Sequence, residues 1–167
     1  MIIILFLLTI INISSSTRKE QFRENDEAFV IGHTFPSWCL DKKIQNPLIL
    51  PRIGKYSESC PHVWSWNVLF HSWLYYNSTY LELIGNKSGG FVRISTSAPY
   101  AANRCKTFFT QLHSESNVSL ECLRNCTNQY LGYYGKYNYI FNNCHDFVNR
   151  LSKILCQGKP CPKWCIS

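Results

Sequence analysis

Nine cysteines constrain this chain more than any other feature of its sequence. They follow an uncharged, largely apolar segment over residues 1–16. This segment is short for a membrane span and ends in small polar residues, as a cleaved signal peptide does. A secreted chain meets oxidising conditions, in which cysteines pair as disulfides. The sequence therefore predicts a signal peptide over residues 1–16 and a secreted, disulfide-stabilised chain over residues 17–167, which is the size of one domain.

The number of cysteines is odd, so pairing within the chain leaves at least one of them over. We expect this one to be Cys144, because of its local setting and not because of its spacing. The other eight allow four bridges in 105 connectivities. They are Cys39, Cys60, Cys105, Cys122, Cys126, Cys156, Cys161 and Cys165. An intermolecular disulfide through any of the nine is the competing explanation.

A zinc site in the C-terminal cysteine cluster is the less favoured interpretation. Cys156, Cys161 and Cys165 have metal-like spacing, but extracellular thiols oxidise and no histidine lies nearby. The sequence thus implies neither a metal nor an organic cofactor.

The setting of Cys144 is the start of a predicted helix. Asn143 suits the N-cap position, and Asp146 three residues later completes a capping-box pattern. A thiol at a helix N-terminus lies at the positive end of the macrodipole, which favours a thiolate. The residues that follow have the spacing of one apolar helix face: Phe147, Val148, Leu151, Ile154 and Leu155.

The most strand-like segment spans residues 63–85 and is rich in aromatic and β-branched residues. A two-residue turn at Asn77 and Ser78 predicts a hairpin in which His71 lies opposite Ile84 and diagonal to Glu82. Further strands are predicted over residues 28–31 and 91–95, and helices over residues 101–112 and 120–131. The predicted fold class is α+β, with a small antiparallel sheet packed on the helix that bears Cys144.

Cys144, His71 and Glu82 form a chemically sensible nucleophile, base and orienting group. The alternative is a buried or disulfide-bonded cysteine, a strand histidine and a surface glutamate without a shared role. We expect His145 to face solvent or a pocket rim. The remaining histidines, His33, His62 and His113, are expected to be ordinary surface residues.

The segment Asn143-Cys144-His145-Asp146-Phe147-Val148 resembles the Asn-Cys-x-x-Phe signature of the circularly permuted papain-like thiol hydrolases. This is the branch of the NlpC-type superfamily that includes lecithin–retinol-acyltransferase-like and PPPDE-type proteins. In that branch the catalytic histidine precedes the cysteine on a strand, and the segment from His71 to Tyr75 is similar. Two departures are visible. Relatives often carry histidine on the second strand, where this chain has Glu82, and two positions after the cysteine, where it has Asp146.

The resemblance implies a divergent secreted thiol hydrolase or acyltransferase that acts on an amide, ester or isopeptide bond through a thioester. Cys144 would be the nucleophile, His71 the base and Glu82 the orienting group. The acyl substrate, whether peptide or lipid, is not specified. The alternative is a catalytically inactive, disulfide-rich binding or effector protein on the same scaffold.

The remaining surface features concern partners. Four Asn-x-Ser/Thr sequons, at Asn77, Asn86, Asn117 and Asn125, are candidates for glycosylation. The net charge of +7 comes from scattered lysines and arginines. This scatter argues against nucleic-acid binding, although it is compatible with attraction to anionic surfaces. We expect a monomer.

Overall fold

The computed structural model describes residues 27–34, 60, 62–63, 70–100, 107–158 and 160–166. The predicted signal peptide lies outside these ranges. The described elements are strands β1 (Glu27–Thr34), β2 (His71–Tyr76), β3 (Thr79–Ile84), β4 (Phe91–Ser95) and β5 (Thr107–Ser116), helices α1 (Leu120–Tyr134) and α2 (Cys144–Gln157), and a short 3-10 helix (Lys163–Cys165).

The strands form one antiparallel sheet in the order β4-β3-β2-β1-β5. The α+β class with an antiparallel sheet is therefore confirmed. The β2–β3 hairpin turns at Asn77 and Ser78, with φ values of 42° and 53°. Both angles are positive, as a two-residue hairpin turn requires. The pairing of Trp73 with Glu82 is the register that the sequence predicted.

The helix predicted over residues 101–112 is wrong where the structure describes it, because residues 107–112 belong to β5. The aromatic and threonine residues of this segment favour a strand. Periodicity in a short apolar run does not distinguish a helix from a strand. Antiparallel pairing with β1 satisfies the backbone groups of both strands. The first strand is also longer than predicted, since it continues through Gly32 to Thr34.

A glycine is needed at position 32 of β1, because the side chain of its cross-strand neighbour occupies the space where a Cβ atom would lie. Gly32 pairs with Trp73, and a Cβ atom built on Gly32 would lie 2.1 Å from the indole ring. The ring also donates a hydrogen bond from Nε1 to Thr34 Oγ1 at 3.1 Å. A missing side chain thus lets a fully buried tryptophan lie against the backbone of the next strand.

The core lies between one face of the sheet and the two helices. Alternate residues of β1, β2 and β3 point into it, and α2 contributes the apolar face that its spacing predicted. Members from the sheet are Phe29, Ile31, Leu74, Tyr76, Leu81 and Leu83, and members from the helices include Leu123, Tyr130, Phe147, Val148, Leu151 and Leu155. His71, Trp73 and Glu82 alternate to the opposite face.

Three disulfides join distant parts of the described chain: Cys60–Cys156, Cys122–Cys161 and Cys126–Cys165. Two of them tie α1 to the C-terminal segment. A bridge stabilises mainly by restricting the unfolded chain, so the three constrain loops closed over 96, 39 and 39 residues. Cys39 and Cys105 lie outside the described residues. Among the described cysteines, Cys144 is the free one.

None of the helices in the described ranges has the length and apolar character needed to cross a membrane.

Candidate functional site

The first turn of α2 is fixed by its N-cap. Asn143 Oδ1 accepts hydrogen bonds from the amides of His145 at 2.8 Å and Asp146 at 3.1 Å. Asp146 Oδ2 accepts in return from the Asn143 amide at 3.1 Å. This reciprocal pattern is a capping box, and it sets where the helix begins. Cys144 is the first helical residue and its side chain is buried, with 5% of the residue exposed.

The amide of Cys144 itself points to no acceptor among the described residues. Asn143 accepts from the next two amides through its side chain, and from Phe147 through its carbonyl at 3.0 Å. The Cys144 N–H is therefore the amide of the first turn that remains available to a ligand oxygen next to the thiol.

His71 lies beside the thiol at the first residue of β2. The Cys144 Sγ is 3.9 Å from the carbonyl oxygen of Phe70, the residue before His71, and the Cys144 side chain is close enough to His71 to raise the pKa of the imidazole. On its other side, His71 Nε2 lies 2.9 Å from Glu82 Oε2. Because Glu82 engages Nε2, Nδ1 is the ring nitrogen left to face the thiol.

Two opposing effects act on the pKa of His71. Burial of the imidazole lowers the pKa, because burial disfavours the charged form. The hydrogen bonds to Cys144 and Glu82, together with the negative charge available on each, outweigh burial and raise the pKa to about 9. A protonated His71 beside Cys144 is the setting that favours a thiolate over a thiol.

Glu82 is fully buried, and four hydrogen bonds hold its carboxylate. Besides His71, it accepts from Arg93 Nη1 at 2.6 Å and from the Tyr100 amide at 2.9 and 2.8 Å, one bond to each carboxylate oxygen. Arg93 lies directly opposite Glu82 on β4, and it also donates to the Ala98 carbonyl at 2.7 Å. Sequence reasoning missed Arg93 and Tyr100. A register for β4 against β3 would have placed Arg93 beside Glu82.

His145 is not at the surface, so the expectation for this residue is wrong. It is 2% exposed, and its Nδ1 lies 2.7 Å from Ser72 Oγ. The same oxygen lies 2.8 Å from His33 Nδ1. One hydroxyl thus bridges two histidines on the core face of the sheet, while His71 and Glu82 lie on the other face.

His33 is also buried, contrary to the expectation of a surface histidine. Burial is the main reason that its pKa falls to about 4, and the nearby His145 and His71 lower the pKa further. The sequence could have indicated this burial, because alternate residues of a strand share one face and His33 follows Phe29 and Ile31 on that face. The same holds for His145, which is three residues before Val148 and seven before Ser152 on the buried face of α2.

The other predicted sites lie away from this arrangement. Asn77, Asn86 and Asn117 are exposed and Asn125 is partly exposed on α1, and their glycosylation stays a prediction. Within the described residues, one group of three side chains has metal-like geometry: Cys122, Cys126 and Cys161. All three are in disulfides, which removes the thiolates that a metal would need. His62 is exposed and His113 lies in β5.

Comparisons with known proteins identify no similar protein. No protein-family model matches the chain, and neither the curated proteins nor the solved structures include one that is significantly similar to it. The likeness to permuted papain-like thiol hydrolases therefore stays a prediction from the residues around Cys144 and His71.

Proposed function

We propose that this chain is a secreted cysteine-dependent hydrolase or acyltransferase of the circularly permuted papain-like type, acting on an amide, ester or isopeptide bond through a thioester. The observation that carries the proposal is the free Cys144 thiol beside His71, whose imidazole is hydrogen-bonded to the buried Glu82 carboxylate at 2.9 Å. Nucleophile, base and orienting group in this order are the pattern of an activated thiol.

In the first step the Cys144 thiolate attacks the carbonyl carbon of the substrate while His71 holds the proton that the thiol has given up. The negative charge that develops on the carbonyl oxygen is stabilised by the Cys144 amide. His71 then donates its proton to the departing amine or alcohol, and a thioester on Cys144 remains.

In the second step His71 takes a proton from an incoming water or alcohol. The activated oxygen attacks the thioester, and the thiolate leaves. Water as the acceptor gives hydrolysis, and another nucleophile gives acyl transfer. The buried salt bridge with Arg93 compensates the burial of the Glu82 carboxylate, so that a charged group faces the imidazole throughout the cycle.

Alkylation of the thiol tests this proposal. Mature protein is treated with iodoacetamide near neutral pH, and modification of Cys144 is followed by mass spectrometry. We expect Cys144 to react faster than a free cysteine, His71→Ala to slow the reaction by about tenfold or more, and His62→Ala to leave it unchanged. His62 is the matched control because the same substitution falls on an exposed histidine.

A p-nitrophenyl ester then tests the thioester directly. The wild-type chain should carry an acyl group on Cys144 after brief exposure, and Cys144→Ser should not. If the wild-type thiol is in a disulfide, or if His71→Ala reacts as fast as His62→Ala, the enzyme proposal fails. The inactive binding protein then becomes the better description of the chain.

A further inference from the structure

Three large apolar side chains protrude into solvent immediately before the active-site helix. Tyr139, Ile140 and Phe141 are 72%, 55% and 76% exposed. Isolated exposed apolar residues are common, but three consecutive large ones at a loop tip form a patch of the kind that marks an interaction surface. We call residues 139–141 the apolar tip.

Hydrogen bonds within the loop hold the apolar tip in a defined conformation. Its base is closed by two backbone hydrogen bonds between Asn138 and Asn142, at 2.9 and 3.1 Å. The Asn138 side chain accepts from the amides of Ile140 at 2.8 Å and Phe141 at 3.1 Å. Local hydrogen bonds thus satisfy the backbone of a loop whose apolar side chains are mostly exposed, although the Tyr139 ring contacts that of Tyr137 with centroids 5.2 Å apart. This structure holds the three side chains outward at a low entropic cost for binding.

Lysines surround the apolar tip, and the partly exposed Asp146, which caps α2, is the acidic residue nearest to it in the sequence. Residues 83–100 and 127–145 contain no aspartate or glutamate. Lys136 is exposed two residues before Asn138, and its stem lies over the turn at Gly89, next to the exposed Lys87. The whole chain carries a formal charge of +7. Aromatic residues at a protruding tip with lysines behind them have the composition that sits at a lipid headgroup boundary.

We propose that the apolar tip docks this protein on anionic phospholipid surfaces. Tyr139, Ile140 and Phe141 enter the headgroup region, and Lys136 and Lys87 face the anionic headgroups. A protruding tip can enter the headgroup region of a membrane at any point. A folded protein partner would need a pocket of matching shape to bind the same tip. The proposal does not depend on the thiol chemistry, because docking uses neither Cys144 nor His71.

Partition onto vesicles tests the proposal. Full-length mature protein is mixed with phosphatidylcholine vesicles, with or without phosphatidylserine, and the bound fraction is measured by co-sedimentation. We expect binding to require phosphatidylserine and to weaken with added salt. Ile140→Glu should weaken binding by about tenfold to a hundredfold, since an apolar contact is lost and a repelled charge is gained.

Two variants serve as matched controls. Ile166→Glu makes the same change at a side chain that is 65% exposed and outside the apolar tip, so it should bind as the wild type does. Lys136→Glu should weaken binding more than Lys153→Glu, although both variants have the same net charge and both lysines are exposed.

Absence of wild-type binding to phosphatidylserine vesicles would overturn the proposal. Equal binding by Ile140→Glu and Ile166→Glu would do the same. If instead light scattering shows a dimer that Ile140→Glu dissociates, the apolar tip is a contact between two copies of the chain and the lipid assignment is wrong. Cys144→Ser protein should partition as the wild type does. Failure of the docking test would therefore leave the thiol chemistry untouched, and failure of the alkylation test would leave docking untouched.

Discussion

Replacing Glu82 by glutamine is the sharpest test of how the candidate site is organised. The carboxylate is fully buried and accepts hydrogen bonds from His71, Arg93 and the Tyr100 amide. Glutamine keeps the size of the side chain but removes its charge, and it turns one acceptor oxygen into a donor. Every partner of Glu82 is itself a donor, so at least one of these hydrogen bonds must be lost.

The expected size of the effect follows from the contacts. A hydrogen bond to a charged group contributes about 1.5–3 kcal/mol. If the bond to His71 is the one that holds the imidazolium beside the thiolate, its loss should slow alkylation of Cys144 by about 10- to 150-fold. Stability should fall by about 2–4 kcal/mol, at the lower end of the cost of breaking a buried pair, because Arg93 is 29% exposed and can turn toward water.

The assay is the iodoacetamide rate at several pH values, with near-ultraviolet circular dichroism to establish that the variant is folded. Glu121→Gln is the matched control, since it removes a carboxylate from an exposed position in the first turn of α1. A folded Glu82→Gln protein that alkylates within about twofold of the control would refute the reasoning. Glu82 would then be a structural salt-bridge partner of Arg93 and not the group that orients His71.

Two further outcomes concern stability. Because the pKa of His71 is raised from 6.5 to about 9, its contribution should be complete below pH 6.5 and lost as the pH rises through 9. The difference in unfolding free energy between wild type and His71→Gln, from urea titrations, should therefore shrink by up to about 3 kcal/mol between pH 6 and pH 10, and a constant difference would contradict this. Ser72→Ala should cost about 2–4 kcal/mol, since His33 and His145 both lose their shared hydroxyl. Ser88→Ala, at an exposed turn, is its control, and equal melting temperatures for the two variants would contradict the buried network.

The features that the sequence predicted well depend on neighbouring residues. The capping box at Asn143 and Asp146 needs only four consecutive positions. The β2–β3 register follows from a two-residue turn, because a tight turn fixes which residues lie opposite. Together these two local rules place Cys144 at a helix start and bring His71 diagonal to Glu82, which is most of the candidate site.

The features that the sequence did not predict depend on partners far along the chain. The strand β5 pairs with β1, which lies about 80 residues earlier in the sequence. Local strand propensity does not indicate which distant strand a segment pairs with. The burial of His33 and His145 depends on a hydroxyl at Ser72 that satisfies both rings. Histidine is polar on any local scale, so only the strand and helix periods could have indicated that these two residues face the core.

The helix that carries the thiol and the loop that carries the apolar tip share one anchor. Asn142 closes the base of the loop, and its side chain accepts from Tyr130 and Arg150, both at 2.9 Å, and donates to the Gly135 carbonyl at 2.8 Å. Arg150 also lies over the Tyr134 ring, 4.0 Å from its centre.

This anchor joins the end of α1, the loop and the middle of α2 through one buried amide. Only Asn143 then separates Asn142 from the thiol. A surface that binds the apolar tip is therefore held at a fixed distance from Cys144, with no glycine between them to act as a hinge. If both proposals hold, docking and chemistry should be coupled through position: vesicles should change how fast Cys144 is acylated by a lipid-soluble ester, and Ile140→Glu should remove that change without altering the rate in solution.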